Sequence, residues 1–380
     1  MRKCLYNGKL ILGDQIVEGK AIVFSETIEA IIDEHEIGEG IDKIDVQGAY
    51  ISPGFIDLHI HGYGGYDVMD GDVTKLQTIS KAIAANGVTS FLATTMTMSM
   101  EDIQQALRSI REVQQEGSKG AEILGAHLEG PFINPAYKGA QDDQYIIPPN
   151  MELVDDFKDI IRLITIAPEV EGGTDFIKEV KEKTNIVLSM GHSNATFEEA
   201  VEAVKQGVSH TTHLFNAMTP LHHRNPGVVG AALTTDVTCE LIADKVHVHP
   251  GLFSFLLKAK GLDKMVLVTD CMAAGGMPEG EYELGGQPVF VKDGQARLAS
   301  GSLAGSVLNL NQGLRNMYTE TGFNIGEMIS LVSYNPAKIL GIESKKGSLD
   351  IGKDADITVF DSDIKIQMTI GKGTILYEAE

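Results

Sequence analysis

Between residues 55 and 270, apolar β-branched runs alternate with helical stretches of ten to twenty residues, and this alternation limits the fold more than any other feature. It is the signature of parallel strands joined by crossover helices. The candidate strands are FIDLHIH (55–61), VTSFLATT (88–95), EILGAHLE (122–129), RLITIAPE (162–169), NIVLSMGH (185–192), VSHTTHL (208–214), CELIAD (239–244) and KMVLVTD (264–270). Amphipathic stretches such as 101–116 and 196–206 lie between them. Eight such strands in about 220 residues predict an α/β fold, a (β/α)8 TIM-like barrel.

The chain ends read differently. KLILG, AIVFSETIEAIID and KIDVQGAYISPG near the start are short strands punctuated by Gly13-Asp14 and Gly38-Glu39-Gly40. ADITVFD, KIQMTI and TILYE near the end are similar, with Gly371-Lys372-Gly373 as a hairpin turn. Neither set has enough strands for a stable sheet alone, so the two are expected to join. The expected division is a small, discontinuous β-sandwich domain from 1–53 and 338–380, and a barrel over 54–337. EYELGGQPVFVKDGQARLAS (281–300) reads as a hairpin turning at Asp293-Gly294, inserted after the eighth strand.

Composition narrows the class. A formal charge of −22 leaves no basic stripe for nucleic acid and gives the global field a sign that repels anions. No apolar run approaches the roughly 18 residues of a membrane helix. Asn7, Gly8 and Lys9 interrupt the start, so no secretory signal is expected there. Cys4, Cys239 and Cys271 lie far apart and form no CxxC pair, which fits a reducing cytoplasm.

Polar residues recur at the ends of the predicted strands. The first ends in His59-Ile60-His61, the third in Glu129, the fifth in His192, the sixth in His213 and the eighth in Asp270. Barrel active sites are assembled at the carboxyl ends of strands, so these side chains are expected at one mouth. His59 and His61 share a face because strand side chains alternate with period two. A lone histidine or acid at a strand end is usually structural. Five such positions on one barrel point to a metal site of imidazole and carboxylate.

PGFIDLHIHG at 53–62 resembles the opening metal motif of the amidohydrolase superfamily. HLEGPFINPAYKGA (127–140), GHSNAT (191–196), HLFNAM (213–218) and LVTD (267–270) resemble, in the same order, the N-acetylglucosamine-6-phosphate deacetylase family within it. KGSLDIGKDADITVFD (346–361) is similar to the segment with which the superfamily re-enters its small β domain. The resemblance implies Glu129, His192 and His213 around one divalent ion, and His59 and His61 around a second that Glu129 bridges. No lysine occupies a strand end where the superfamily often places a carboxylated one. Zinc, iron, manganese and cobalt all suit this donor set. Asp270 is implied as the general base and acid, with metal ligation alone as its alternative role.

The resemblance also sets the backbone amides of Asn216 and Ala217 against a phosphate, His247 against the sugar, and Arg224 in the neighbouring subunit's site, implying a homodimer. Gln141 stands where some family members have a substrate-contacting histidine; it still offers the substrate a hydrogen bond but cannot carry the charge. His127 shares a strand face with Glu129 and is expected to orient it. His249 reads as a surface residue, His222 and His223 stay open, and His35 and His210 have no assigned role. The implied reaction is hydrolysis of the acetamide of N-acetylglucosamine 6-phosphate. A deacetylase for the galactosamine epimer, a cyclic amidase or D-aminoacylase, and a non-catalytic scaffold are the alternatives.

Overall fold

The structure, a computed structural model, describes residues 2–379. Eight parallel strands form its centre: β1 (Phe55–Ile60), β2 (Val88–Thr95), β3 (Glu122–Glu129), β4 (Ile161–Ile166), β5 (Val187–Met190), β6 (His210–Thr211), β7 (Thr238–Ile242) and β8 (Met265–Val268). They pair in sequence order. The chain closes the circle just past β8, where the Asp270 amide donates to the His59 carbonyl at 2.8 Å and Ile60 bridges Cys271 in parallel. All eight predicted strands are therefore present, and a barrel forms.

Helices Met100–Glu116 and Phe197–Gln206 lie where amphipathic periodicity placed them. Ser99 caps the first by accepting from the Asp102 amide, and Thr196 and Glu199 form a capping box on the second. Their apolar faces join one large core around the barrel, with Ile103, Leu107, Ile110, Ala200 and Ala203 buried in it. Burying those stripes is the main source of helix stability here.

The ends do meet. Strands Lys9–Leu12, Gln15–Val17 and Tyr50–Pro53 form one six-stranded sheet with Ile357–Phe360, Ile366–Gly371 and Thr374–Glu378. One expectation is corrected, however. The N-terminal segment alone also supplies a complete four-stranded sheet, Lys3–Tyr6, Lys20–Phe24, Ile28–Asp33 and Asp42–Asp45. The two sheets enclose a core containing Leu5, Leu10, Ile22, Phe24, Ile51, Ile357, Val359 and Ile370. The segment near 281–300 is likewise more than a hairpin. Gly280–Leu284, Gln287–Lys292 and Gln295–Leu298 form a three-stranded meander. Asp293-Gly294 makes one turn and Gly285-Gly286 the other, all four with positive φ.

Lys346 fastens the C-terminal segment to the barrel. Its ammonium, nearly buried, lies 2.6 Å from Asp356, 2.8 Å from Glu122 at the start of β3 and 3.0 Å from Asp354.

Candidate active site

The carboxyl ends of β1, β3, β5, β6 and β8 deliver His59, His61, Glu129, His192, His213 and Asp270 to one spot, none more than 7% exposed. Local backbone makes this possible. Gly62 follows His61 because a Cβ there would run into the Tyr66 carbonyl and the Ala273 amide. His192, His213 and Asp270 all have positive φ, at 49°, 28° and 50°. Side chains at strand ends take this conformation only when surrounding structure holds them, and such outliers cluster at functional sites.

Glu129 is the hub. Its Oε1 lies 3.3 Å from His59 Nε2, 3.2 Å from His192 Nε2 and 3.1 Å from His213 Nε2. Its Oε2 lies 3.2 Å from His61 Nε2 and 2.7 Å from Gln141 Nε2. His59 and His61 meet through Nε2 at 3.2 Å, and His192 and His213 at 3.1 Å. Four imidazole nitrogens aimed at each other and at one carboxylate cannot all be satisfied by protons alone. Divalent cations fit the donor set, since each takes several of these lone pairs at once. Three donor groups are compact enough to hold an ion. His59 with His61 and Glu129, and Glu129 with His192 and His213, share Glu129, while the third is His59 with His127 and Glu240.

Asp270 stands over this hub, with Oδ1 3.2 Å from His61 Nε2 and 3.5 Å from His59 Nε2. Burial alone would raise the Glu129 and Asp270 carboxyls, but the imidazoles opposite hold both below the ordinary range. Conversely, burial would lower His61, yet the hydrogen bonds and charges of Asp270 and Glu129 raise it to about 9. Cation binding to such a set releases protons.

These groups open into a cavity of about 220 Å³ that is also lined by Gln141, Asn216, Ala217 and His247. His247 is oriented by Asp244, whose Oδ2 meets its Nδ1 at 2.6 Å. The Asn216 amide donates to the His213 carbonyl at 2.9 Å, within the turn that brings Asn216 and Ala217 to the cavity wall. Gln141 lines the cavity but bonds Glu129 and the Thr97 amide. Arg224 lies outside the cavity of its own chain, exposed, with Nη1 2.7 Å from His223 Nε2. His249 is exposed and caps the short helix at Pro250–Leu252. His222, His223 and His35 are also exposed.

His127 corrects another expectation. Its Nε2 meets Thr165 Oγ1 at 2.7 Å and its ring packs edge-on against His59 at 4.5 Å, so Thr165 rather than Glu129 is its hydrogen-bond partner. Burial, with the His59 charge beside it, pushes His127 down to about 3, which keeps the ring neutral. Sequence reasoning missed Glu240, an acid inside the apolar run CELIAD, and also Met96, Leu284 and Leu303 on the cavity wall. A charge in the middle of a buried strand was the available signal for Glu240.

Residues 50–376 match the Amidohydrolase family. The chain is 42% identical over 351 residues to an N-acetylglucosamine-6-phosphate deacetylase of Lysinibacillus sphaericus, covering 91% of this chain and 90% of that protein. It is 38% identical to an N-acetylgalactosamine-6-phosphate deacetylase of Escherichia coli O157:H7, covering 90% and 94%. The crystal structure of N-acetylglucosamine-6-phosphate deacetylase from Pasteurella multocida superposes with a TM-score of 0.94 at 34% identity, covering 99% of each chain. Among the described residues, no helix is long and apolar enough to cross a membrane.

Proposed function

Since the chain belongs to the amidohydrolase family and, within it, to the N-acetylglucosamine-6-phosphate deacetylases, we propose that it hydrolyses the acetamide of N-acetyl-D-glucosamine 6-phosphate to D-glucosamine 6-phosphate and acetate. One observation carries the reading. Two ligand groups share Glu129 beneath Asp270, at the floor of a small cavity.

Glu129, His192 and His213 would hold one divalent ion, and His59, His61 and Glu129 a second; zinc, iron, manganese and cobalt all suit these donors. When bound, such ions supply water activation and Lewis-acid polarisation of the amide carbonyl. Asp270 takes the proton from the attacking water and passes it to the departing nitrogen. That transfer matters because an amine leaves only once protonated. His247, fixed by Asp244, is placed to hydrogen-bond the sugar. Gln141 offers the substrate no cationic contact, and its tie to Glu129 supports a part in shaping the metal site.

Phosphate recognition falls to the backbone amides of Asn216 and Ala217 on the cavity wall, the latter at positive φ. Arg224 of a second copy completes it in a homodimer, a reading supported by the exposed position of that side chain away from its own cavity. A guanidinium contacts phosphate in two places and so offsets the acidic global field at short range. The three cysteines are free and buried, which supports a cytoplasmic setting. The segments 1–53 and 338–380 act as one small domain that braces the barrel over 54–337, a division supported by their shared six-stranded sheet.

The galactosamine epimer is the second reading, favoured by the 38% identity to the Escherichia coli relative. Assaying phosphorylated and unphosphorylated N-acetylglucosamine and N-acetylgalactosamine side by side tests both. The highest kcat/KM is expected for N-acetylglucosamine 6-phosphate. Preference for the galactosamine ester selects the second reading, and indifference to the phosphate contradicts both.

A further inference from the structure

We infer that Glu240 is a positioning residue that sets His59 for metal binding and ties it to His213, joining the two ligand groups from inside the barrel. Glu240 lies on β7 and is fully buried. Its Oε2 is 3.0 Å from His59 Nδ1 and accepts the His213 amide at 3.0 Å. Its Oε1 is 3.3 Å from His210 Nε2, and His210 Nδ1 is in turn 2.6 Å from Thr238 Oγ1. A carboxylate in a barrel interior is costly unless it is well bonded. This one has three partners, and two of them are residues of the metal site.

The consequence for His59 is chemical. A carboxylate at Nδ1 keeps the proton on that nitrogen, so the Nε2 lone pair points at the space shared with His61, Glu129 and Asp270. Such a partner also makes the imidazole a stronger donor to a metal. The other three imidazoles lack this support. His192 Nδ1 faces the neutral Tyr137 carbonyl at 2.9 Å, while His61 Nδ1 and His213 Nδ1 are buried with no hydrogen-bond partner among the described residues. Among the described residues, His59 alone of the four has a carboxylate within hydrogen-bond distance of its Nδ1.

The link to His213 is mechanical. His213 sits at φ 28°, a conformation that needs outside support, and the oxygen that grips His59 also grips its amide. A shift of either ligand group therefore loads the other through a single buried atom.

The inference rests on the reading of His59 as a metal ligand, and its test separates the two. Metal-stripped wild type, His59→Asn, Glu240→Gln and the double variant are titrated with zinc against a chromophoric chelator, and the melting temperature of each metal-free form checks folding. His59→Asn is expected to weaken one zinc ion. Glu240→Gln keeps the shape and an acceptor oxygen but lacks the charge, and is expected to weaken that same ion roughly 10- to 100-fold. The double variant is expected to bind that ion no more weakly than His59→Asn alone, because Gln keeps an acceptor for the His213 amide and both changes then reach the ion through one imidazole. Unchanged zinc binding in His59→Asn overturns the ligand reading. A loss in His59→Asn without one in Glu240→Gln, or losses that add fully in the double variant, overturns the role of Glu240. If Glu240→Gln does not fold, Glu240→Asp, which draws the oxygens back from both His59 Nδ1 and the His213 amide, is titrated instead; weaker binding of both ions is expected, and unchanged binding of the ion held by His59 overturns the role of Glu240.

Discussion

Gln141 donates from Nε2 to Glu129 Oε2 at 2.7 Å while its Oε1 accepts the buried Thr97 amide at 2.7 Å. One uncharged side chain thus orients the carboxylate that both ligand groups share. Replacing it with leucine leaves the Thr97 amide without that acceptor and frees the Glu129 oxygen. Gln141→Leu is expected to lose about 1–3 kcal/mol of stability, the usual cost of an unsatisfied buried group, together with part of kcat. Denaturant unfolding and steady-state kinetics measure the two effects. A variant unchanged in both would show the contacts to be incidental.

Asp270→Asn separates proton transfer from metal binding. The amide keeps the shape but no longer serves as a base, so kcat is expected to fall by about 10²–10⁴ with bound metal unchanged. Elemental analysis beside the rate assay checks this. Loss of metal in parallel with the rate would instead make Asp270 primarily a ligand.

Lys346 faces Glu122, Asp354 and Asp356, and Lys346→Met leaves those carboxylates without it. Breaking a buried pair costs about 3–5 kcal/mol, here nearer the lower end because the Glu122 side chain is 35% exposed. The effect should depend on pH in a definite direction. Burial would raise Glu122, but Lys346 and Lys372 lower it below its ordinary 4.5, so its stabilising contribution is complete above that value and fades as pH falls through the folded one. Asp356 behaves oppositely, being raised by burial despite Lys346, and would go higher without that cation. Urea midpoints for wild type and variant should therefore differ most near neutrality and converge in acid. A gap that is constant with pH would contradict the ion-pair explanation.

Arg224 offers a test of shared sites. Arg224→Ala and Asp270→Asn are each expected to be impaired, the first mainly in KM. Denatured together and refolded, they should recover about a quarter of wild-type activity, because half the dimers carry one intact site. No recovery would place Arg224 outside the neighbouring site.

Much of this was legible because barrel geometry converts strand ends into a site. The eight strand runs gave the order, and their terminal residues gave His59, His61, Glu129, His192, His213 and Asp270. Glu240 escaped because a strand-interior acid has no positional marker until its partners across the barrel are known. His127 was misassigned since a shared face says nothing of which neighbour is nearer, and Thr165 on β4 is the one it bonds. The sixth strand is the two residues His210–Thr211, because the chain soon departs into a turn at His213, Phe215 and Ala217, all with positive φ. Apolar content could not show that turn. The second sheet of the small domain was missed for a similar reason. Lys3–Tyr6 is only four residues long, and it pairs with both Lys20–Phe24 and Asp42–Asp45.

The most direct measurement is amide cleavage of N-acetylglucosamine 6-phosphate by protein stripped of metal with chelator, then resupplied with zinc, manganese, cobalt or ferrous iron. Activity is expected to vanish on stripping and return with at least one of these ions, in proportion to the metal bound. Full turnover by protein shown to contain no metal would contradict the assignment of His59, His61, Glu129, His192 and His213.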